Sequence, residues 1–281
     1  MSLRKRALPR GWYPVDKREC QREIESYLEG WMPPPSISGR AAGGIVPHAG
    51  WYFSGKLAAR VFSSLKSKGK VDVVVLYGGH LGPDDLPQIV TEEEWETPFG
   101  EIKIHTDFAK SLMKRIEARK ESPSSGDNTV EIQLAMVKHF FPEARLLAIR
   151  SPSSLRADTL GKEVAEIARN EGISIVAVGS TDLTHYGPNY GFLTKGVGPS
   201  AVEWVRKEND KGFIDRALKM DGEGLLKHAG ENDSACSAGA AASAVATCKA
   251  LGAEKGVLLD YYTSYDIMPD DSFVGYAGIV Y

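Results

Sequence analysis

Cysteine is scarce and odd in number. Cys20, Cys236 and Cys248 are the only three in 281 residues, which leaves no even set for a disulfide framework and points to a reducing cytoplasm. No apolar run approaches the roughly 20 residues that a membrane-spanning helix needs. The most hydrophobic runs, VDVVVLYGG and ISIVAVGS, are only strand-length. The basic N-terminal stretch RKRALPR passes straight into GWYPVDKRE, without the apolar core of a secretory signal. A surplus of positive charge is missing as well: 34 Lys and Arg stand against 37 Asp and Glu, a net charge of -3. With the basic residues scattered, no footprint for nucleic acid exists.

Common catalytic signatures are also absent. No G-x-x-x-x-G-K-[ST] or G-x-G-x-x-G follows a strand, so the usual nucleotide-binding loops have no support. Neither a G-x-S-x-G elbow nor an H-E-x-x-H pair occurs.

What remains has the balance of a globular protein, 42% hydrophobic and 25% charged. Short β-branched runs predict strands at about 42–46, 71–77, 102–105, 145–149, 173–179, 257–262 and 274–281. Several are apolar on both faces, as in a buried α/β sheet. Helices are predicted between them: Gly55 to Lys68 with Ser54 as N-cap; a segment opening at NTVE, where Asn128 and Glu131 have capping-box spacing; Asp158 to Asn170; and the alanine-rich run from Cys236. The only Pro/Ser/Gly-rich breaks, 32–40 and 121–127, are short. Together these features predict a single α/β domain over residues 1–281, a three-layer sandwich around a central mixed, largely parallel sheet.

The polar chemistry falls at strand ends. His48 follows the first apolar strand in IVPHAGWYFSG, His80 follows VDVVVLYGG, and Asp182 and His185 follow ISIVAVGS in STDLTHYG. Parallel neighbours would bring these exits into one crevice, where α/β proteins place ligands. Each histidine taken alone also fits an ordinary core or turn role, and Asp182 fits an Asx turn. The D-x-x-H spacing equally suits a carboxylate orienting an imidazole for acid/base work. Cys236 is placed at the start of the alanine-rich helix, where the dipole favours thiolate, a metal ligand or a nucleophile. His105, His139 and His228 read as structural. The dispersed set is compatible with one mononuclear Fe, Cu or Zn ion. Trp51, Tyr52 and Phe53 are candidates for an aromatic pocket, with core packing as their ordinary alternative.

Those motifs, with ETPFGEIKI, TVEIQL, ENDSACSAG, YYTSYDI and VGYAGIVY, resemble the Memo-like family, whose prokaryotic members are called AmmeMemoRadiSam system protein B. The resemblance runs from about residue 10 to 281. It implies a fold related to class III extradiol dioxygenases, which open catechol rings with non-haem Fe(II). By motif, His48 and His80 would be metal ligands, Cys236 the third ligand with Asp233 as the alternative donor, and His185 the acid/base residue with Asp182 beside it. Asn128 stands where relatives often carry histidine, while Glu131 is kept. Trp51, Tyr52 and Glu131 are then expected at the substrate. A thiolate in place of a carboxylate shifts metal preference from Fe(II) towards Cu or Zn. Two functions follow as expectations: a metal-dependent, dioxygenase-like oxidoreductase with a small-molecule ligand, or a non-catalytic module binding a peptide or phosphopeptide. The prokaryotic family name also implies a pathway link to a radical-SAM protein and an AMMECR-type protein.

Overall fold

Strands whose two faces are both apolar have no side to offer to water, so they must lie inside a sheet covered by helices on both faces. In a computed structural model describing residues 2–37, 41–66 and 69–281, four such strands lie parallel. Their spatial order is Gly43–Val46, Ile175–Ser180, Val73–Leu81, Arg145–Pro152. Phe273–Val280 pairs antiparallel with Gly43–Val46, and Val257–Thr263 pairs antiparallel with Phe273–Val280. Short edge strands extend this mixed sheet to nine among the described residues. A small three-stranded sheet joins Leu3–Arg4, Glu94–Trp95 and Ile102–Lys103.

Alternation along each strand builds the three layers. Val73, Val75 and Tyr77 enter one core, with Leu160 and Val164 of the helix Arg156–Asn170 and with Ala240, Ala241 and Ala244 of the helix Ala238–Ala250. Val74 and Leu76 enter the other, with Val61 and Phe62 of the helix Trp51–Leu65 and Leu134 and Val137 of the helix Leu134–Phe140. All three cysteines are free, with Cys20 and Cys248 buried in opposite cores. No helix among the described residues is long and apolar enough to cross a membrane.

Several boundaries differ from expectation for local reasons. The first predicted helix begins at Trp51, with Gly50 in the cap position; Ser54 lies in the first turn, and its hydroxyl donates to the Ala49 carbonyl at 2.7 Å. Its predicted end at 67–68, like residues 38–40 of the predicted loop, lies outside the described residues. The Asn128/Glu131 capping box does not form. Asp127 is the N-cap, accepting from the Thr129 N–H at 3.0 Å, and the helical segment breaks into Asn128–Glu131 and Leu134–Phe140. Cys236 stands two residues ahead of its helix, which starts at Ala238. The helices Lys17–Leu28 and Gly222–Asn232 lie outside the expected set, their polar faces having hidden short apolar stripes.

The alanine-rich helix packs closely because its neighbours give way. A Cβ on Gly161 would lie 2.4 Å from the Ser243 carbonyl oxygen, a contact that requires the helices to separate. Gly161→Ala should therefore lower unfolding stability by about 1–2 kcal/mol, overpacking outweighing the gain in helix propensity. Gly230→Ala, at an exposed helical position with open space around it, should raise stability by about 0.5–1 kcal/mol. Urea denaturation of both variants checks this; a Gly161→Ala midpoint at or above the parent's contradicts it.

Candidate metal centre

Because Ile175–Ser180 runs between and parallel to Gly43–Val46 and Val73–Leu81, the carboxyl ends of all three open on one edge. Gly43–Val46 leads through Pro47 to His48, Ile175–Ser180 leads to Thr181 and Asp182, and Val73–Leu81 carries His80 next to its last residue. Gly79 has φ +94, and a Cβ there would lie 2.6 Å from the Arg150 side chain. This irregularity, where the ladder with Arg145–Pro152 shifts register after Gly78, directs His80 to the edge. Cys236 arrives from the opposite side. Its N–H donates to the Asp182 carbonyl at 3.2 Å, and the following Ser237 N–H donates to Thr181 Oγ1 at 3.0 Å.

One donor atom each from His48, His80 and Cys236 lies within 4.8 Å of the others. The Cys236 Sγ to His48 Nε2 distance is 3.2 Å, and the two imidazoles stand edge to face with centroids 5.2 Å apart. Metal bonds of about 2.0–2.1 Å to nitrogen and 2.3 Å to sulfur put two tetrahedral ligands roughly 3.5 Å apart. The 3.2 Å Sγ–Nε2 pair lies near this value, and the widest pair, up to 4.8 Å, would close by roughly 1 Å around an ion held by this set. Asp233 lies outside it, in left-handed conformation at the end of the helix Gly222–Asn232.

Supporting groups fix which ring nitrogen is free. His80 Nδ1 sits 3.2 Å from Asp127 Oδ2, so Nε2 is left for a metal. Arg150 donates to the same carboxylate oxygen at 2.9 Å, and the Thr129 hydroxyl donates to the other. Burial opposes ionisation of Asp127, but His80, Thr129 and Arg150 hold its pKa well below the usual carboxylate range. His48 Nδ1 lies 3.4 Å from Ser180 Oγ, again leaving Nε2 towards the sulfur. Asn128 donates to the His48 carbonyl at 3.0 Å, a positioning contact at the site where histidine was expected from the resemblance.

Asp182 acts first on the backbone. Its Oδ1 accepts from the N–H of His48 at 2.6 Å and of Ala49 at 3.3 Å, while Oδ2 lies 4.0 Å from His48 Nε2 and 3.9 Å from His185 Nε2. His185 Nε2 is buried without a hydrogen-bond partner. Its ring packs on Tyr190, centroids 4.9 Å apart. Thr184, one residue before it, is anchored by N–H and hydroxyl to the buried Asp210. Burial raises the Cys236 thiol pKa, yet His48, His185 and His80 together pull it well below its ordinary value. Burial disfavours His48 protonation, but Cys236 and Asp182 outweigh it and raise its pKa; Asp127 and then Cys236 raise that of His80 to about 10.

Over these groups lies a cleft of about 460 Å³. Trp51, Tyr52 and Glu131, expected at the substrate, are not among its lining residues. Trp51 is buried, and its indole N–H donates to the Ile132 carbonyl at 3.2 Å; Tyr52 is 67% exposed on the outer helix face. Glu131 is buried against the N-terminal segment, accepting from the N–H of Ala7 at 2.8 Å and of Leu8 at 2.9 Å and from the Tyr13 hydroxyl at 3.1 Å. The aromatic walls are instead Trp12, Phe53, Tyr190 and Tyr276. Sequence reasoning missed Asp127 and Arg150. The signal was an arginine inside an otherwise apolar strand, RLLAIRSP, because a largely buried charge needs a partner. His105, His139 and His228 fall elsewhere: His105 Nδ1 accepts from the Phe108 N–H, His139 packs on Phe99, and His228 Nε2 contacts the Asn209 carbonyl.

The Memo-like protein family model matches residues 4–280. A MEMO1 family protein of Nitrosopumilus maritimus is 33% identical over 288 residues, covering 99% of this chain and 98% of its own length. One from Pyrobaculum arsenaticum is 29% identical over 294 residues, covering 100% and 99%. The crystal structure of an uncharacterized protein from Escherichia coli K12 covers 79% of this chain and 91% of its own at 14% identity and a TM-score of 0.46, a likeness too distant to inform the site.

In metal-free protein the lowered Cys236 pKa contributes stability above the thiol's unfolded value of 9.0, lost as pH falls through the folded one. The raised His80 pKa contributes stability below 6.5, lost as pH rises through about 10. The raised His48 pKa adds a second contribution that fades above 6.5, so metal-free protein should be most stable near that lower value and lose stability as pH rises beyond it. Iodoacetamide should modify Cys236 at pH values well below the ~8.5 of a free thiol. Cys20, whose pKa burial pushes up to about 12, should stay unmodified. Mass spectrometry across a pH series checks this; a Cys236 rate that rises only around pH 8–9, as for an ordinary thiol, contradicts it.

Proposed function

The chain belongs to the Memo-like protein family, and we propose that it is a metal-dependent oxidoreductase of dioxygenase-like type. A mononuclear ion would be held by His48, His80 and Cys236, with His185 as the acid/base group. The observation that carries this is the convergence of three donor atoms within 4.8 Å at the carboxyl edge of parallel strands, beside a buried imidazole nitrogen of His185 that makes no hydrogen bond and lies 3.9 Å from Asp182 Oδ2. Iron or copper suits the mixed nitrogen and thiolate set, with zinc as the redox-silent alternative. When bound, the ion supplies Lewis acidity and, for iron or copper, the capacity to exchange electrons.

The protein's own residues supply the rest. Asp127 keeps His80 in the tautomer that presents Nε2, and Ser180 does the same for His48. Asp182 pins the His48 backbone and places its second oxygen 3.9 Å from His185 Nε2, where it stabilises the imidazolium formed when His185 takes a proton from a substrate hydroxyl in the cleft. Tyr190 packs on the His185 ring and fixes its orientation.

Anaerobic purification followed by elemental analysis for Fe, Cu and Zn tests the proposal. About one ion per chain is expected in the parent. His48→Ala and Cys236→Ser should lose it, and Asp127→Asn should bind it about 10–100-fold more weakly. Oxygen uptake with a panel of catechols should then require both the metal and His185, tested with His185→Gln. Unchanged metal content in His48→Ala and Cys236→Ser would sink the ligand set. A fully loaded protein inert to every catechol would favour a binding module on the same fold.

A further inference from the structure

Charge is distributed unevenly around the cleft. Among the described residues no lysine or arginine lines it, whereas Asp182 stands at its floor and Asp270 at its rim. Asp270 is exposed, accepts from the Ser272 N–H at 3.2 Å through Oδ1, and forms no ion pair among the described residues. Tyr190 lines the same cleft as both carboxylates. Partial burial first, then Asp182 and Asp270, raise its phenol pKa, which places the ring in the negative field of both. Trp12, Phe53 and Tyr276 complete an aromatic surround.

Recognition of a phosphoryl or carboxylate group calls for arginine or lysine, best as a bidentate fork. No lysine or arginine among the described residues lines this cleft, and its imidazoles, His48, His80 and His185, lie at the floor beside Cys236 and Asp182 rather than at the rim where Asp270 stands. A cation, by contrast, gains from aromatic faces and from an unpaired carboxylate. We propose that the cleft selects a small aromatic ligand carrying an ammonium group, with the ring directed to the His185 floor and the ammonium between Tyr190 and Asp270. The proposal rests on the reading of this cleft as the substrate site, and it disfavours a phosphopeptide as the occupant.

The test compares ligands of one shape and different charge by isothermal titration calorimetry on the full chain as purified. The probes are tyramine, its neutral alcohol tyrosol, para-hydroxyphenylacetate and phenyl phosphate. Tyramine should bind about fivefold more tightly than tyrosol, the size expected for one cation–π contact and one solvent-exposed ion pair together. Both anions should bind more weakly than tyrosol. Asp270→Asn should reduce the preference for tyramine over tyrosol to less than about twofold. Equal affinities, tighter binding of either anion, no saturable binding of tyramine, or a preference unaltered in Asp270→Asn would each overturn the proposal. Repeating the series in His48→Ala separates the two readings. Retained ammonium preference without metal supports the cleft assignment even if the metal assignment fails, and its loss in metal-loaded parent protein overturns the cleft assignment alone.

Discussion

The parallel pairing of Gly43–Val46, Ile175–Ser180 and Val73–Leu81 is the constraint on which the candidate site depends. Were one of these strands reversed, its histidine would open on the far edge, more than a strand's length away. Pairing alone brings the exits only into proximity. Asp182 converts proximity into geometry by taking the N–H groups of His48 and Ala49 from the neighbouring strand exit while its own carbonyl accepts from the Cys236 N–H. One residue thereby ties two of the three candidate ligands to the end of the central strand. A strand-exit histidine otherwise has several backbone conformations open to it; here its main chain is held by Asp182 below and by Asn128 at its carbonyl.

Electrostatics then makes the cluster interdependent. A buried thiolate is costly unless cations or a metal surround it, and three imidazoles without a negative charge would repel one another. Together they are compatible, which is why the Cys236 pKa falls while those of His48 and His80 rise. A divalent ion can replace the two protons that the histidines would otherwise hold, so the charge balance of the pocket is kept when a metal binds. The arrangement beyond the ligands follows the same logic. Arg150 balances Asp127, and Asp127 orients His80, so a charge placed on a strand 70 residues later in the chain decides which nitrogen of His80 is available.

What could be read from the sequence was what depends on one segment at a time. All seven strands announced themselves by β-branched runs, several of them apolar on both faces, and each is present. The chemistry at their exits drew attention because His48, His80 and Cys236 stand beside glycines or a helix start. Choices between equivalent neighbours could not be read. Asp127 and Asn128 are both good caps, and Glu131 has capping-box spacing only from Asn128, but the backbone N–H groups of Ala7 and Leu8, 124 and 123 residues away in sequence, claim its carboxylate. The aromatic run failed for a phase reason. With the helix starting at Trp51 rather than Gly55, successive residues turn by about 100°, so Trp51 points into the core, Tyr52 outward and Phe53 into the cleft. Trp12 and Tyr190 come from distant loops, and no local pattern marks a residue whose role is to complete a wall.

The account's central claim is that one ion is held jointly by a thiolate and two imidazoles. X-ray absorption at the metal edge, on anaerobically purified protein, measures this directly. One sulfur at about 2.3 Å and two imidazole nitrogens at about 2.0–2.1 Å are predicted, with the sulfur shell lost in Cys236→Ser. A bound metal surrounded only by oxygen and nitrogen in the parent protein would contradict the claim.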